Sequence, residues 1–310
     1  MPKVSVIIPI YGVEKYIERC SRSLFEQTID DIEYIFIDDC TNDNSISILH
    51  DVIKDYPERK NQIIIIYHEV NKGLPQARKT GLLHANGEYI AHCDSDDWVD
   101  CDYYQKMYEK GKIENADLVI SDFYRTDGLE YKRKCRGVHS LNAKMLLMNL
   151  LYQKDPWSVW NKIFKRSCYE EVIFPLYSMG EDMALTLQLL RRCEVITNQR
   201  ESCYHYFYNK SSISKSPSPE NVINRFKGLF DNVGIVKSVY ANMKGIISPF
   251  WYLDMLTMSA LYDGVKDASV CKLVSRTKND ILQILYPKGK SSVKFAYIYC
   301  LFYSLINKKR

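Results

Sequence analysis

Over its first 125 residues the chain alternates short apolar runs with longer segments of helical spacing. Val4–Ile10 is almost continuously apolar, the pattern of a strand buried on both faces of a parallel sheet. Across residues 13–28, Tyr16, Ile17, Cys20, Leu24 and Phe25 recur at helical intervals, and the next run, residues 34–37, stops at Asp38 and Asp39. Asp43 or Asn44 can cap a helix through Ile46, Leu49, Val52 and Ile53. A third strand at Ile63–Tyr67, a third helix over 74–85, an Asn86-Gly87 turn and a fourth strand over 88–93 complete the series.

Strands and helices alternating at this spacing predict βαβ units with right-handed crossovers and therefore a doubly wound, mostly parallel sheet. In such sheets a ligand sits outside the carboxyl ends of the strands. Three of those ends carry unusual residues: Pro9, Ile10 and Tyr11 after the first strand, Asp38 and Asp39 after the second, and Asp94, Ser95, Asp96 and Asp97 after the fourth. Farther on, residues 117–121 read as a strand, the basic stretch 125–137 as a loop or hairpin, and residues 141–152 and 182–192 as helices. Val222, Phe226, Leu229, Phe230, Val233 and Val236 mark one face of a longer amphipathic helix. The Ser- and Pro-rich residues 214–219 are the best linker, dividing residues 1–215 from a helical region over 216–310.

Composition narrows the class. With 310 residues, 46% hydrophobic and 26% charged, the chain is globular and long enough for a large α/β domain plus an accessory region. A formal net charge of +4 gives no overall electrostatic case for nucleic acid. The ten cysteines form no C-x-x-C pair and follow no signal peptide, so free thiols in a reducing cytosol are expected.

The carboxylates carry the chemistry. Asp94, Asp96 and Asp97 directly follow a buried strand, where their mutual repulsion calls for a cation or heavy hydration. Oxygen ligands without a nearby Cys/His pair favour Mg²⁺ or Mn²⁺, which completes its octahedron with waters and substrate phosphates. On spacing alone, an acidic loop that merely caps a helix beginning near residues 100–104 remains an alternative.

These motifs, in this order, resemble the family-2 nucleotide-sugar glycosyltransferases with the GT-A fold. The resemblance runs over about residues 3–125 and rests on five ordered motifs: the opening Val4–Ile10 with Tyr11, the stretch 23–28, Asp38-Asp39, residues 71–78 (Asn-Lys-Gly-Leu-Pro-Gln-Ala-Arg), and residues 87–90 leading into the D-x-D sequence at Asp94 and Asp96. Cys40 stands where the family often has glycine or a small polar residue. The resemblance implies that Asp39 hydrogen-bonds the uracil of a UDP-sugar and that Pro9 and Tyr11 line the base and ribose pocket. Tyr11 read on its own is a packing residue at a helix start. It further implies that Asp94 and Ser95 face the ribose or the metal shell, that Asp96 holds the ion bridging the diphosphate, and that Asp97 supports them. Arg78 becomes a charge partner for the acidic site or the diphosphate, or else a surface residue of the third helix.

The acceptor side is thinner. Glu181 and Asp182 open an apolar helix, where a plain helix cap is the simple reading. They also resemble the family's E-D pair, preceded by Trp160, Asn161, Lys162, Ile163 and Phe164, which makes Asp182 the general base and Glu181 its orienting partner. His205, with Ser211 to Ser214 beyond it, resembles the segment that closes over the donor phosphates; it could complete the metal sphere or simply pack in a strand. Trp157 and Trp160 offer either an acceptor platform or core packing. Residues 295–306 are apolar between basic flanks within 288–310, too short to span a bilayer. They suit peripheral contact with an anionic membrane, docking on the chain itself, or a homodimer contact.

The expected protein is thus an inverting, metal-dependent hexosyltransferase moving a sugar from UDP to a hydroxyl of a glycan or polyprenyl-linked saccharide in polysaccharide assembly. It would work in the cytoplasm or at the inner face of a membrane, with no nucleic-acid partner. A nucleotidyltransferase is the enzymatic alternative, although residues 6–12 contain one glycine where a triphosphate loop needs several. A non-catalytic nucleotide- or sugar-binding module is the other.

Overall fold

A computed structural model describes residues 1–129, 131–208, 219–243, 249, 250, 252–254 and 257. The first part folds as β1 (Val4–Ile10), α1 (Ile17–Phe25), β2 (Ile32–Asp38), α2 (Ser45–Lys54), β3 (Ile63–Tyr67), α3 (Leu74–His84) and β4 (Tyr89–His92). All seven β1 residues are buried, as a continuous apolar run requires of a central strand. Val4 pairs in parallel with Ile32 of β2 on one side and with Tyr89 of β4 on the other. Helix α2 starts at Ser45 behind Asn44, whose side chain makes no cap hydrogen bond; the preceding Asp43 carboxylate accepts from the Ser45 backbone N–H (3.1 Å) and hydroxyl (2.6 Å). The turn into β4 runs so close to β1 that a Cβ on Gly87 would lie 2.5 Å from the Ser5 nitrogen.

The rest of the chain adds β5 (Trp98–Val99), α4 (Tyr103–Ile113), β6 (Leu118–Thr126), β7 (Lys132–Cys135), α5 (Ala143–Leu151), β8 (Lys162–Lys165), α6 (Glu181–Leu190), β9 (Ile196–Phe207) and α7 (Pro219–Val239). The sheet order is β3-β2-β1-β4-β8-β6-β9-β5, with β7 paired to the outer part of β6. Its first half is the expected parallel sheet, whereas β4–β8, β6–β8, β6–β7 and β5–β9 are antiparallel and β6–β9 parallel. The basic stretch is therefore the β6–β7 hairpin.

Alternation along each strand feeds two cores. Val6 and Ile8 face Leu24, Leu49 and Met107 of α1, α2 and α4, while Ile7 faces a second cluster with Ala77 of α3, Leu147 of α5 and Leu187 of α6. Each of the larger side chains among them (Val, Leu, Ile, Met) contributes about 1.5–3 kcal/mol by leaving water. Helix α7 joins the second core through Val233 and Val236, followed by Tyr240 just past its end, whose hydroxyl donates to the Leu187 carbonyl (2.8 Å). Residues 214–218 of the expected linker and the apolar tail 295–306 lie outside the described residues.

Candidate active site

Because β1, β2 and β4 are adjacent and parallel, their carboxyl ends open side by side into a cleft of about 810 Å³. It is lined by Pro9, Ile10 and Tyr11 from the end of β1, Asp39 from β2, and Asp94, Ser95 and Asp96 from β4. These seven residues, all singled out in the sequence, thus meet in one cavity. The far wall was not legible there: Leu176, Tyr177, Ser178 and Met179 precede α6, and Asn224 and Arg225 come from α7. Asn232 of α7 holds that loop by donating to the carbonyls of Tyr177 (3.1 Å) and Met179 (2.8 Å).

Asp39 is 3% exposed and fixed by three protein donors. Its Oδ1 accepts from Lys72 N (2.8 Å) and faces His68 Nδ1 (2.8 Å), while Oδ2 accepts from Gly73 N (2.8 Å). The opposite nitrogen of His68 meets the Thr80 hydroxyl at 2.9 Å, so the imidazole bridges β3 and α3. Gly73 has φ +84°, a conformation that favours glycine, and aims its N–H at Asp39 at the start of α3. A carboxylate has about four lone-pair sites, and these contacts use three.

Arg78 is the hub between the two halves of the site. It is 1% exposed, and its Nη2 donates to Asp94 Oδ1 (2.7 Å) while Nη1 donates to Asp182 Oδ1 (2.6 Å) and to Glu181 Oε1. Burial alone would lower its pKa, but Asp182 and Asp94 more than offset that and raise it. Arg78 is therefore not a surface residue of α3 but is buried among these three carboxylates. Glu181 and Asp182 are the first two residues of α6 behind Gly180 in a left-handed conformation, so neither is the helix cap. Asp94 and Asp182 retain 27% and 31% side-chain exposure, against 4% for Glu181.

The aspartate loop is electrostatically uncomfortable. Burial, followed by the charge of Asp94, pushes the Asp96 carboxyl up to about 6. Asp94 is raised by burial and Asp182, with Arg78 opposing. Asp97 is fully buried and raised well above the usual range by burial and by Asp96 and Asp94. It accepts from the Tyr204 hydroxyl (2.7 Å) and Phe207 N (2.6 Å), which ties the loop to β9. Arg19, whose guanidinium lies 3.7 Å over the Trp98 ring, donates to the Asp96 carbonyl (2.9 Å).

His205 does not join Asp94 and Asp96. Its ring is stacked between Trp98 and Tyr124, with centroids 5.1 and 5.3 Å away, and its Nε2 meets Asp100 Oδ1 at 2.7 Å. Trp160 is 7% exposed and stacked on Tyr204 and Tyr206, while Trp157 donates from Nε1 to the Leu150 carbonyl (2.6 Å). Lys162 is buried and donates to the Pro156 (3.1 Å) and Ser158 (2.5 Å) carbonyls and to Asn161 Oδ1 (2.9 Å); burial lowers its ammonium to about 7. It braces the loop whose Trp157 carbonyl accepts from Thr186 of α6 (2.7 Å).

Asp94 and Asp96 suit a hard cation. They are oxygen donors two residues apart on one half-buried loop, and a cation would relieve the elevated Asp96 carboxyl. Among the described residues no three His, Cys, Asp or Glu side chains are grouped to hold a metal by themselves.

A mixed sheet flanked by helices, with its cleft at the carboxyl ends of β1, β2 and β4, is the GT-A fold. Similar structures include S. aureus TarS 1-349 in complex with UDP-GlcNAc (TM-score 0.60, 18% identity, covering 99% of this chain and 92% of that one). Another is the mannosyltransferase PcManGT from Pyrobaculum calidifontis in complex with GDP-Man and Mn²⁺ (0.59, 16%, 99% and 88%). Residues 5–173 match the family model described as Glycosyl transferase family 2, and the chain belongs to that family. It is 29% identical over 224 residues to glycosyltransferase GlyA of Streptococcus pneumoniae serotype 4 (strain ATCC BAA-334 / TIGR4), covering 69% of this chain and 32% of that protein. Over 226 residues it is 31% identical to the uncharacterized glycosyltransferase EpsJ of Bacillus subtilis (strain 168), covering 70% and 64%. The match thus spans about a third of the first and under two thirds of the second.

Proposed function

We propose that the chain transfers a sugar from a UDP-sugar to a hydroxyl of a glycan or polyprenyl-linked acceptor with inversion, forming β-type linkages in polysaccharide assembly. The observation that carries this reading is the convergence of Asp39, Asp94 and Asp96 from separate strand ends on one cleft with Pro9, Tyr11 and Ser95. Asp39 keeps a lone pair for the base N–H, and its three protein donors fix where that lone pair points. Pro9 and Tyr11 flank the base and ribose. Asp94 and Asp96 would hold Mn²⁺ or Mg²⁺, which stabilises the charge that develops on the departing diphosphate.

Inversion needs a base on the side opposite the leaving group. Asp182 is the candidate because it is partly exposed, stands at the positive end of α6 and is oriented by Arg78. Glu181, buried on the same guanidinium, keeps the arginine from swinging away. Arg78 also joins Asp182 to Asp94, so one side chain sets the spacing between base and donor site. The engagement of His205 with Asp100 favours a metal shell built from the two aspartates and the substrate.

Metal-dependent release of UDP across a panel of UDP-sugars tests the reading. A nucleotidyltransferase would instead consume nucleoside triphosphate, and a binding module would release nothing. Peripheral membrane or twin-subunit contact through residues 288–310 belongs to the same proposal. Among the described residues no helix is long and apolar enough to cross a membrane. Equal sedimentation with liposomes of the full chain and a chain lacking its last twenty or so residues would remove the membrane part.

A further inference from the structure

The β7-β6-β9 ribbon carries a row of side chains that the transfer chemistry leaves unused. Cross-strand register sets Arg125 directly opposite Arg133 on one side and beside Tyr206 on the other. Because side chains alternate along a strand, these three lie on one face of the sheet. Tyr206 stacks on Trp160 with centroids 5.3 Å apart, and after burial its phenol responds most to Asp97, Asp96 and Asp94. The row therefore starts beside the aspartate loop and runs outward to the exposed Arg133.

Two like charges directly opposite in an antiparallel pair repel. Among the described residues no carboxylate forms an ion pair with Arg125 or Arg133, and the buried Nε of Arg125 has no hydrogen-bond partner. The Arg125 guanidinium is held 3.9 Å over the Tyr208 ring, so it is placed rather than dispersed into solvent. On the other face of the hairpin Lys132 and Lys134 lie over Tyr124, at 4.1 and 5.9 Å, and deepen the positive potential. An anion between the arginines would turn their repulsion into two attractions, and a guanidinium fork matches phosphate oxygens.

We infer that Arg125 and Arg133 seat a phosphate group carried by the acceptor, with Tyr206 against the adjoining sugar ring. Neighbouring strands lie about 4.8 Å apart, so Tyr206 to Arg133 spans roughly 10 Å, the reach of one sugar and its phosphate. The acceptor class is then a phosphate-bearing saccharide. The word acceptor rests on the glycosyltransferase reading; the anion seat does not.

The test titrates UDP with Mn²⁺ into the full chain, then glucose 6-phosphate, glucose as the neutral control, and phosphatidylglycerol vesicles in the presence of UDP and Mn²⁺, following tryptophan fluorescence. Glucose 6-phosphate should bind roughly tenfold more tightly than glucose. The preference should fade between about 50 mM and about 500 mM salt. Arg133→Gln, at an exposed position that cannot endanger the fold, and Arg125→Gln should each remove most of the preference while UDP binding stays unchanged. Equal binding of the two sugars, or no effect of Arg133→Gln, overturns the seat. So does weakened UDP binding in Arg133→Gln, which would give the arginines to the donor, or an effect confined to phosphatidylglycerol vesicles, which would give them to a membrane surface. If the sugar phosphate binds through these arginines while UDP does not bind at all, the seat stands and the transferase reading falls.

Discussion

Replacing Arg78 by methionine isolates the interaction that joins the two halves of the site. Methionine fills much of the arginine volume, so the loss is mainly of charge and donors. Asp94 and Asp182, at 27% and 31% exposure, can recover water, but Glu181, at 4%, cannot. Its second oxygen already lacks a partner among the described residues, so no spare donor stands by. Leaving one partner of a buried pair uncompensated costs about 3–5 kcal/mol, which in a chain of this size lowers Tm by about 5–8 °C. The pH dependence has a definite sign. Without Arg78 the buried Glu181 carboxyl takes up a proton more readily than in the unfolded chain, where its pKa is about 4.3. The penalty is therefore full at high pH, shrinks as pH falls through the raised folded value, and vanishes below the unfolded one. Thermal and denaturant unfolding of wild type and Arg78→Met at about pH 8 and about pH 5 measures this. A deficit below about 1 kcal/mol, or one equal at both pH values, would refute the reasoning.

Other consequences can be checked alongside it. Asp182→Asn should lower turnover by about 10²- to 10⁴-fold while calorimetry finds UDP binding intact; lost binding with intact turnover would reverse the assignment. Because the Asp96 carboxyl is pushed up to about 6, the apo protein carries a penalty above that pH that is relieved as pH falls through it and on toward the unfolded value. Without metal, Asp96→Asn should accordingly raise Tm at about pH 8 and leave it unchanged near pH 4, as scanning calorimetry would record. Asp39→Ala strips the acceptor from the Lys72 and Gly73 N–H groups and should cost about 2–4 kcal/mol in a denaturant titration, together with UDP binding.

The nucleotide half was legible because its physics is local. β1 to β4 are short apolar runs ended by polar residues, and a parallel sheet needs no more information than that to place Pro9, Asp39 and Asp94 on one rim. β9 was not legible. It contains Asn198, Gln199, Arg200 and Glu201, its register against β6 shifts between Ser121 and Phe123, and its alternation is broken there. β8 has four residues, and its antiparallel place between β4 and β6 is a tertiary decision. Arg78 lies on a helix of mixed polarity, where spacing allows either solvent or core. Asp94, sixteen residues on, and Glu181 and Asp182, about a hundred residues later, make burial tolerable. For His205 the sequence left two readings open, a ligand by resemblance or a residue packed in a strand; alternation in β9 turns it to the opposite face from Tyr204, toward Trp98, Tyr124 and Asp100.

The most direct test is a calorimetric titration of UDP, with and without Mn²⁺, into wild type, Asp39→Ala and Asp96→Ala. One site per chain is predicted, strengthened by Mn²⁺, lost in Asp39→Ala, and indifferent to Mn²⁺ in Asp96→Ala. UDP binding that survives both substitutions unchanged, or its absence from the wild-type chain with Mn²⁺ present, would contradict the account.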